Sequence, residues 1–127
     1  MTKMQALYNF FSSFGIPAYE ENSIYSEDIE IELPYITYGI NLATFPASNV
    51  SIPASIWYRS ASWKDIQDKA IEINAKLKNG GISLPCDGGF ILLKLEDDRE
   101  ADMTGDPSDR LVKRAILHIV ADFNTIN

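Results

Sequence analysis

The chain has 127 residues, of which 46% are hydrophobic, and this is enough for one globular domain with an ordinary core. Eleven basic against eighteen acidic residues give a formal net charge of −7, which argues against stable nucleic-acid binding, because such binding relies on lysine and arginine at the phosphates. No apolar run is long enough to span a bilayer, the chain starts without a signal-peptide pattern, and the single cysteine, Cys86, excludes an internal disulfide, so we expect a soluble cytoplasmic protein.

The first predicted element is a helix from Thr2 to Phe14. Aromatic and aliphatic residues recur on one of its faces: Met4, Leu7, Tyr8, Phe11 and Phe14. Gly15 and Pro17 end it, because glycine caps helices and proline cannot continue them. We interpret the apolar face as part of the core, and a partner-binding helix is the alternative.

The segment from Ala18 to Leu33 is acidic and contains no lysine or arginine. We predict a flexible, solvated loop that includes Glu27 and Asp28, with a short edge strand over Ile29–Leu33 before a proline. Close carboxylates suit a hard cation, but their order lacks the Asp/Asn/Gly pattern of a calcium loop.

A long hairpin follows. Residues Pro34–Leu42 are rich in aromatic and β-branched types and predict a strand, which pairs with a second strand over Ser51–Ser60 through a long tip. In the second strand Ile52, Ala54, Ile56 and Tyr58 alternate with more polar residues, a pattern typical of a half-buried strand. Trp57 and Arg59 lie on its less apolar side.

The next element is an amphipathic helix. Ser62 and Asp65 have the spacing of a capping box. An apolar stripe follows at spacings of three and four: Trp63, Ile66, Ala70, Ile73 and Leu77. Asn79, Gly80 and Gly81 tolerate positive φ and therefore end the helix.

The last third of the chain is predicted to contain two strands. Residues Ile82–Gly89 are interpreted as a linker with turn chemistry, and Phe90–Glu96 as a central strand. Residues Asp97–Asp109 predict a second flexible acidic loop, with Asp97, Asp98, Glu100 and Asp102 among its carboxylates.

Residues Arg110–Phe123 alternate throughout, which favours a long final strand over the rival interpretation of a helix. One side is apolar. The other side is mixed and includes Arg114, Ile116 and His118. A mixed face of this kind indicates partial covering by a neighbouring subunit.

These elements predict a single α+β domain over residues 1–127. Its expected architecture is a mostly antiparallel sheet of four to five strands with two helices packed on one face, in the order α-β-β-α-β-β.

The sequence carries no recognisable catalytic set. His118 is the only histidine and is distant in sequence from Cys86, so a Cys/His nucleophile pair has no support from spacing. Gly88 and Gly89 form no phosphate-binding motif. We expect no enzymatic activity, no cofactor and no metal site.

The order of elements and several local stretches resemble the small tail terminator, or tail completion, proteins of long-tailed bacteriophages and prophages. The stretches are Leu7–Phe11, Leu33–Tyr38, Ile56–Ser60 and Trp63–Ile66. The resemblance implies an α+β fold, in which two helices pack on a mixed or mostly antiparallel sheet.

The same resemblance implies a hexameric ring that caps the tail tube, stops its polymerisation and joins it to the head. Its partners would be the tail tube protein and a head completion or connector protein, with DNA only passing through the lumen and no membrane involved. Such a protein is found in the bacterial cytoplasm during assembly and afterwards in the virion.

A closed ring needs two different contact patches on each subunit. We predict one patch at Trp57 and Arg59, because tryptophan and arginine are favoured interface residues, and another at Arg114, Ile116 and His118. The alternative for Trp57 is packing beneath the first helix. The acidic loops are expected to face the lumen or axial partners through Glu27, Asp28, Asp97, Asp98, Glu100 and Asp102.

Two other functions remain open. One is a small-molecule-binding or regulatory domain of ferredoxin-like type that dimerises through its sheet edges. The other is a hydrolase or transferase with a site assembled from scattered acidic residues.

Overall fold

The computed structural model describes residues 1–21, 32–40 and 47–126. This part of the chain forms two α-helices, α1 (Lys3–Phe11) and α2 (Lys64–Leu77). It also forms seven strands: β1 (Ala18–Glu20), β2 (Tyr35–Tyr38), β3 (Ala47–Arg59), β4 (Ile82–Cys86), β5 (Gly89–Leu95), β6 (Asp102–Asp106) and β7 (Asp109–Thr125). Short 3₁₀ turns cover Ser12–Phe14 and Glu96–Asp98. The α+β class with two helices is confirmed.

The strands make one sheet in the order β1-β2-β3-β7-β5-β4, and β6 pairs with β7 outside this path. All neighbours are antiparallel except β1 and β2, which are parallel. The long β3–β7 pair is the centre of the sheet, with Ile52 opposite Ile119 and Ile56 opposite Ala115. The predicted hairpin of β2 and β3 and the mostly antiparallel sheet are confirmed.

Both helices contribute to a single core on one face of the sheet. The buried side of α2 contains Asn74 and the predicted stripe without its first member: Ile66, Ala70, Ile73 and Leu77. In α1, Phe11 is fully buried and stacks on Tyr38 of β2, with ring centroids 4.5 Å apart. The apolar residues predicted from alternation in β3 and β7 lie on this same face, because successive side chains of a strand point to opposite sides.

The start of α2 differs from the prediction. The Ser62 hydroxyl accepts from the Lys64 amide at 3.1 Å, and no side chain caps the helix, so the predicted capping box with Asp65 is wrong. Trp63 is 37% exposed and carries the Lys113 ammonium over its ring at 4.9 Å. A capping box does form in α1, between Thr2 and Gln5.

The predicted number of four to five strands is too low, because three segments interpreted as loops or linkers are strands. The supposed linker Ile82–Gly89 forms β4, which a tight turn at Asp87 and Gly88 joins to β5. Within the supposed second acidic loop, β6 pairs with β7. Strand β5 pairs with β7 only as far as Ile119. Strand β6 therefore supplies hydrogen-bond partners to the backbone groups that precede Ile119 on this edge of β7 and would otherwise lack them.

The first acidic loop was predicted to begin too early in the chain. Residues Ala18–Glu20 form β1, and Ala18 is buried in the core. Glu27, Asp28 and most of the edge strand predicted over Ile29–Leu33 lie outside the described residues, as does most of the hairpin tip. No described helix is long and apolar enough to cross a membrane.

Candidate interaction surface on the open sheet face

The sheet face opposite the two helices carries the predicted interface residues. We call it the open face and define it by the side chains Tyr19, Tyr35, Trp57, Arg114, Ile116 and His118. Within residues 1–21, 32–40 and 47–126, no helix packs on this face, since α1 and α2 both pack on the core side.

An aromatic row crosses four neighbouring strands of the open face. Tyr19 in β1 meets Tyr35 in β2 edge to face, with ring centroids 5.9 Å apart. Tyr35 stacks on Trp57 in β3 at 6.3 Å. The row ends at Arg114 in β7, whose guanidinium carbon lies 4.7 Å from the centre of the Trp57 ring, a cation–π geometry.

Hydrogen bonds to neighbouring strands hold Trp57 and Arg114 in place. The Trp57 Nε1–H donates to the Thr37 hydroxyl at 3.0 Å, and the Arg114 Nε–H donates to the Ser55 hydroxyl at 3.0 Å. Burial, followed by the neighbouring Tyr19, raises the pKa of Tyr35 above its ordinary value. The row is therefore built and partly shielded before any partner binds.

The two predicted patches form one surface, which corrects the expectation of separate contacts. In the register of β3 and β7, Trp57 lies opposite Arg114, and Pro53 lies opposite His118. Arg59 is at the margin of this surface, where it forms an ion pair with Asp109. A closed ring would need its second patch elsewhere.

A pocket of about 260 Å³ opens beside the aromatic row. Its lining comes from β3, β6, the β6–β7 turn and β7: Trp57, Thr104, Gly105, Asp106, Pro107, Val112 and Arg114. The Asp106 carboxylate accepts from the hydroxyl and amide of Ser108 at 2.7 and 2.8 Å, and these bonds lower its pKa. Asp106 therefore turns towards its own loop and forms no ion pair with Arg114.

The predicted lumen residue Asp102 has a role within the chain. Its carboxylate is 2.8 Å from His118 Nε2 and 3.3 Å from the Arg99 guanidinium. The contact with His118 ties β6 to β7 on the open face. Glu100 pairs with Lys78 at 2.9 Å, which lowers its pKa and directs it towards the end of α2.

Asp97 and Asp98 lie in the Glu96–Asp98 turn, between the end of β5 opposite Ile119 and the start of β6 opposite Ile116. The turn borders a second pocket, of about 590 Å³, together with Lys94 and Val120. Lys94 pairs with Asp122 at 2.9 Å. Among the described residues, none of the three carboxylates of the turn forms an ion pair.

Sequence reasoning missed the aromatic partners of Trp57. Tyr35 was assigned to a strand but not to a face, and the antiparallel register that places it opposite Trp57 cannot be obtained from composition. Tyr19 fell in a predicted loop. Its only signal was the preference of tyrosine for strands.

The structure does not bring Cys86 and His118 together. Cys86 ends β4 next to the core, and burial raises the pKa of its thiol. Cys86 is opposite Gly89, which in turn is opposite Thr125 near the end of β7. His118 lies several residues earlier in β7 and points to the open face. Among the described residues, no three His, Cys, Asp or Glu side chains are placed to hold a metal ion.

No protein-family model, no curated protein and no solved structure matches this chain.

Proposed function

We propose that this chain is a structural protein that works by binding other protein chains through its open face, without bond-making chemistry. The observation that carries the proposal is the half-buried row Tyr19, Tyr35, Trp57 and Arg114 on a sheet face that no described helix covers. Antiparallel sheets with one solvated face normally place polar side chains there.

The composition of the open face supports this proposal. Tryptophan, tyrosine and arginine are the residues most enriched among those that dominate binding energy at interfaces. Thr37 and Ser55 already fix the side chains of Trp57 and Arg114, so these two residues lose little conformational entropy when a partner binds. Ile116 adds an apolar centre next to the row.

Two of the edge strands of the sheet are poorly suited to pairing with a second chain, which disfavours the alternative of a ferredoxin-like dimer. Edge strand β4 contains Pro85, which has no amide proton to donate. Edge strand β1 has only three residues. Short strands and prolines are common means of preventing edge-to-edge association.

More specifically, we propose a ring-forming tail terminator that caps the tail tube of a long-tailed phage or prophage and joins it to the head. The resemblance of the local stretches Leu7–Phe11, Leu33–Tyr38, Ile56–Ser60 and Trp63–Ile66 supports this assignment, and the net charge of −7 suits a lumen through which DNA passes without binding. The tail tube protein and a head connector protein would be the axial partners.

Sedimentation velocity and negative-stain microscopy test the proposal. We expect the wild-type chain to form assemblies, with rings of about six copies if it is a tail terminator. Trp57→Ala should shift the population to monomers and leave the circular dichroism spectrum nearly unchanged.

The matched control is Trp63→Ala, because it removes the other tryptophan, which contacts Lys113 rather than the open face. This variant should assemble like the wild type. The proposal is contradicted if the wild-type chain stays monomeric at every concentration, or if the Trp57→Ala variant assembles normally.

A further inference from the structure

The pocket beside Trp57 contains a cation, Arg114, that has no anionic partner among the described residues. Of the Arg114 guanidinium, only Nε donates a hydrogen bond, to Ser55, and no carboxylate in the described part of the chain forms an ion pair with it. Arg114 therefore offers its two terminal nitrogens to an incoming group. An arginine fork of this kind binds carboxylates with two parallel hydrogen bonds.

The size and walls of the pocket indicate the kind of group that it accepts. Its volume of about 260 Å³ is below the usual range for small-molecule sites, roughly 300–1,000 Å³, and therefore suits a single side chain. The Thr104 hydroxyl lines it next to Arg114 and can donate a hydrogen bond to the same anion.

The chain itself presents a matching group in the Glu96–Asp98 turn. The Glu96–Asp98 turn has three consecutive exposed carboxylates without an ion pair among the described residues. Leu95, just before the turn, lies opposite Ile119 of β7, five residues from Arg114. In the folded chain the turn does not occupy the pocket of the same chain, because no carboxylate among the described residues forms an ion pair with Arg114.

We propose that the Arg114 pocket of one copy receives an aspartate carboxylate from the Glu96–Asp98 turn of a second copy. This inference rests on the proposed function and names the contact that joins neighbouring subunits. Because the pocket and the turn are two different patches, one chain can bind a different neighbour through each of them, which is a head-to-tail contact. Repetition of a head-to-tail contact generates a ring when the rotation closes, and the turn supplies the second patch that such a ring needs.

Two variants that keep the local backbone test the contact. Arg114→Gln removes the cation. Asp97→Asn combined with Asp98→Asn removes two charges from the turn, and asparagine suits these positions because both have a φ of 52°, in the left-handed region that asparagine tolerates. Each variant should raise the Kd of self-association by about tenfold or more, since a charge-assisted hydrogen bond is lost.

The controls remove the same charges outside the contact. Arg110→Gln removes an exposed arginine of the same strand, and Asp65→Asn with Asp68→Asn removes two exposed carboxylates of α2. Both controls should self-associate with the wild-type Kd. If Arg114→Gln fails to fold, the turn variant still decides the question, because its two residues are exposed.

Mixing the two interface variants tests the direction of the contact. The Arg114→Gln chain retains an intact turn, and the turn variant retains an intact pocket. In sedimentation velocity the mixture should therefore form heterodimers that do not grow further, whereas each variant alone should be monomeric at the same concentration.

The outcomes separate this inference from the proposed function. If the wild type assembles and Trp57→Ala does not, but the turn variant assembles normally, the proposed function stands and the turn is not the occupant of the pocket. If the wild type never assembles, or Trp57→Ala has no effect, both fail.

Discussion

Arg114 and Trp57 lie opposite each other on the two central strands, and the guanidinium carbon of Arg114 is 4.7 Å from the centre of the indole ring. Each side chain is also held by one hydrogen bond to a hydroxyl, of Ser55 and Thr37 respectively. The pair is thus a fixed part of the folded chain. Its contribution to stability can be measured separately from its contribution to binding.

We predict a stabilising coupling between these two residues in the monomer. A double-mutant cycle with Trp57→Leu and Arg114→Gln, measured by urea unfolding at low protein concentration, should give about 0.5–1 kcal/mol, the usual range for a partly exposed cation–π pair. A cycle of Trp57→Leu with Arg110→Gln should give no coupling, because Arg110 does not line the Trp57 pocket. Equal coupling energies in the two cycles would show that the contact contributes nothing specific.

A second prediction concerns Asp122, which fixes the bulge of β3. Its carboxylate accepts from the Asn49 amide at 2.8 Å and pairs with Lys94 at 2.9 Å. The Asn49 bond first and Lys94 second lower its pKa below the ordinary value. A lowered pKa in the folded state stabilises the protein above the unfolded pKa, near 4, and this stabilisation is lost as the pH falls through the folded value.

Asp122→Asn should therefore reduce the free energy of unfolding by about 1–2 kcal/mol at pH 7, and the difference from the wild type should shrink below about pH 4. Urea unfolding at pH 7 and pH 3 measures both values. Asp65→Asn, in an exposed position of α2, serves as the control and should differ little from the wild type at pH 7. A deficit of Asp122→Asn that stays constant between the two pH values would contradict this account.

The long elements could be predicted from the sequence because their own residues determine them. Alternation over β3 and β7 is sustained, so it identified both strands and placed Trp57 on the less apolar side of β3 and Arg114, Ile116 and His118 on the mixed side of β7. It left open whether Trp57 packs beneath the first helix. The helical stripe of α2 was equally clear from Ile66 onwards. Where the pattern is long, burial of one face outweighs local preferences.

The short strands could not be predicted because their partners determine them. Residues of β6 are mostly acidic or small, and they form a strand because β7 extends beyond β5 and offers unpaired backbone groups. In β4, Pro85 and the following glycines resemble a turn. The fusion of two predicted patches into one surface depends on the β3–β7 register, which pairs residues more than fifty positions apart.

A third prediction tests the backbone at Gly89, the first residue of β5. Gly89 has a φ of 152°, and a Cβ there would lie 1.9 Å from the Asn124 carbonyl oxygen. Gly89→Ala should cost at least about 2–3 kcal/mol in the free energy of unfolding, because it combines strain with a backbone clash. Gly80→Ala should cost less, since Gly80 has a positive φ but open space around it. Gly105→Ala, with neither constraint, should stay close to the wild type. A thermal or urea unfolding series that lacks this order would contradict the assignment.

The last prediction concerns the join between α1 and the sheet. Phe11 is fully buried and stacks on Tyr38 with an interplanar angle of 15°. Burial is also the main reason that the pKa of Tyr38 is raised to about 12. Phe11→Ala should lower the free energy of unfolding by about 3–5 kcal/mol, because it opens a cavity under the helix. It should also bring the pKa of Tyr38 closer to its ordinary value of 10, as water reaches the phenol.

The control variant Phe90→Ala removes the same ring at a site that is 41% exposed. It should cost far less free energy of unfolding and leave the Tyr38 titration unchanged. Ultraviolet titration of tyrosine with urea unfolding measures both effects, and equal losses in the two variants would mean that α1 does not anchor on Tyr38.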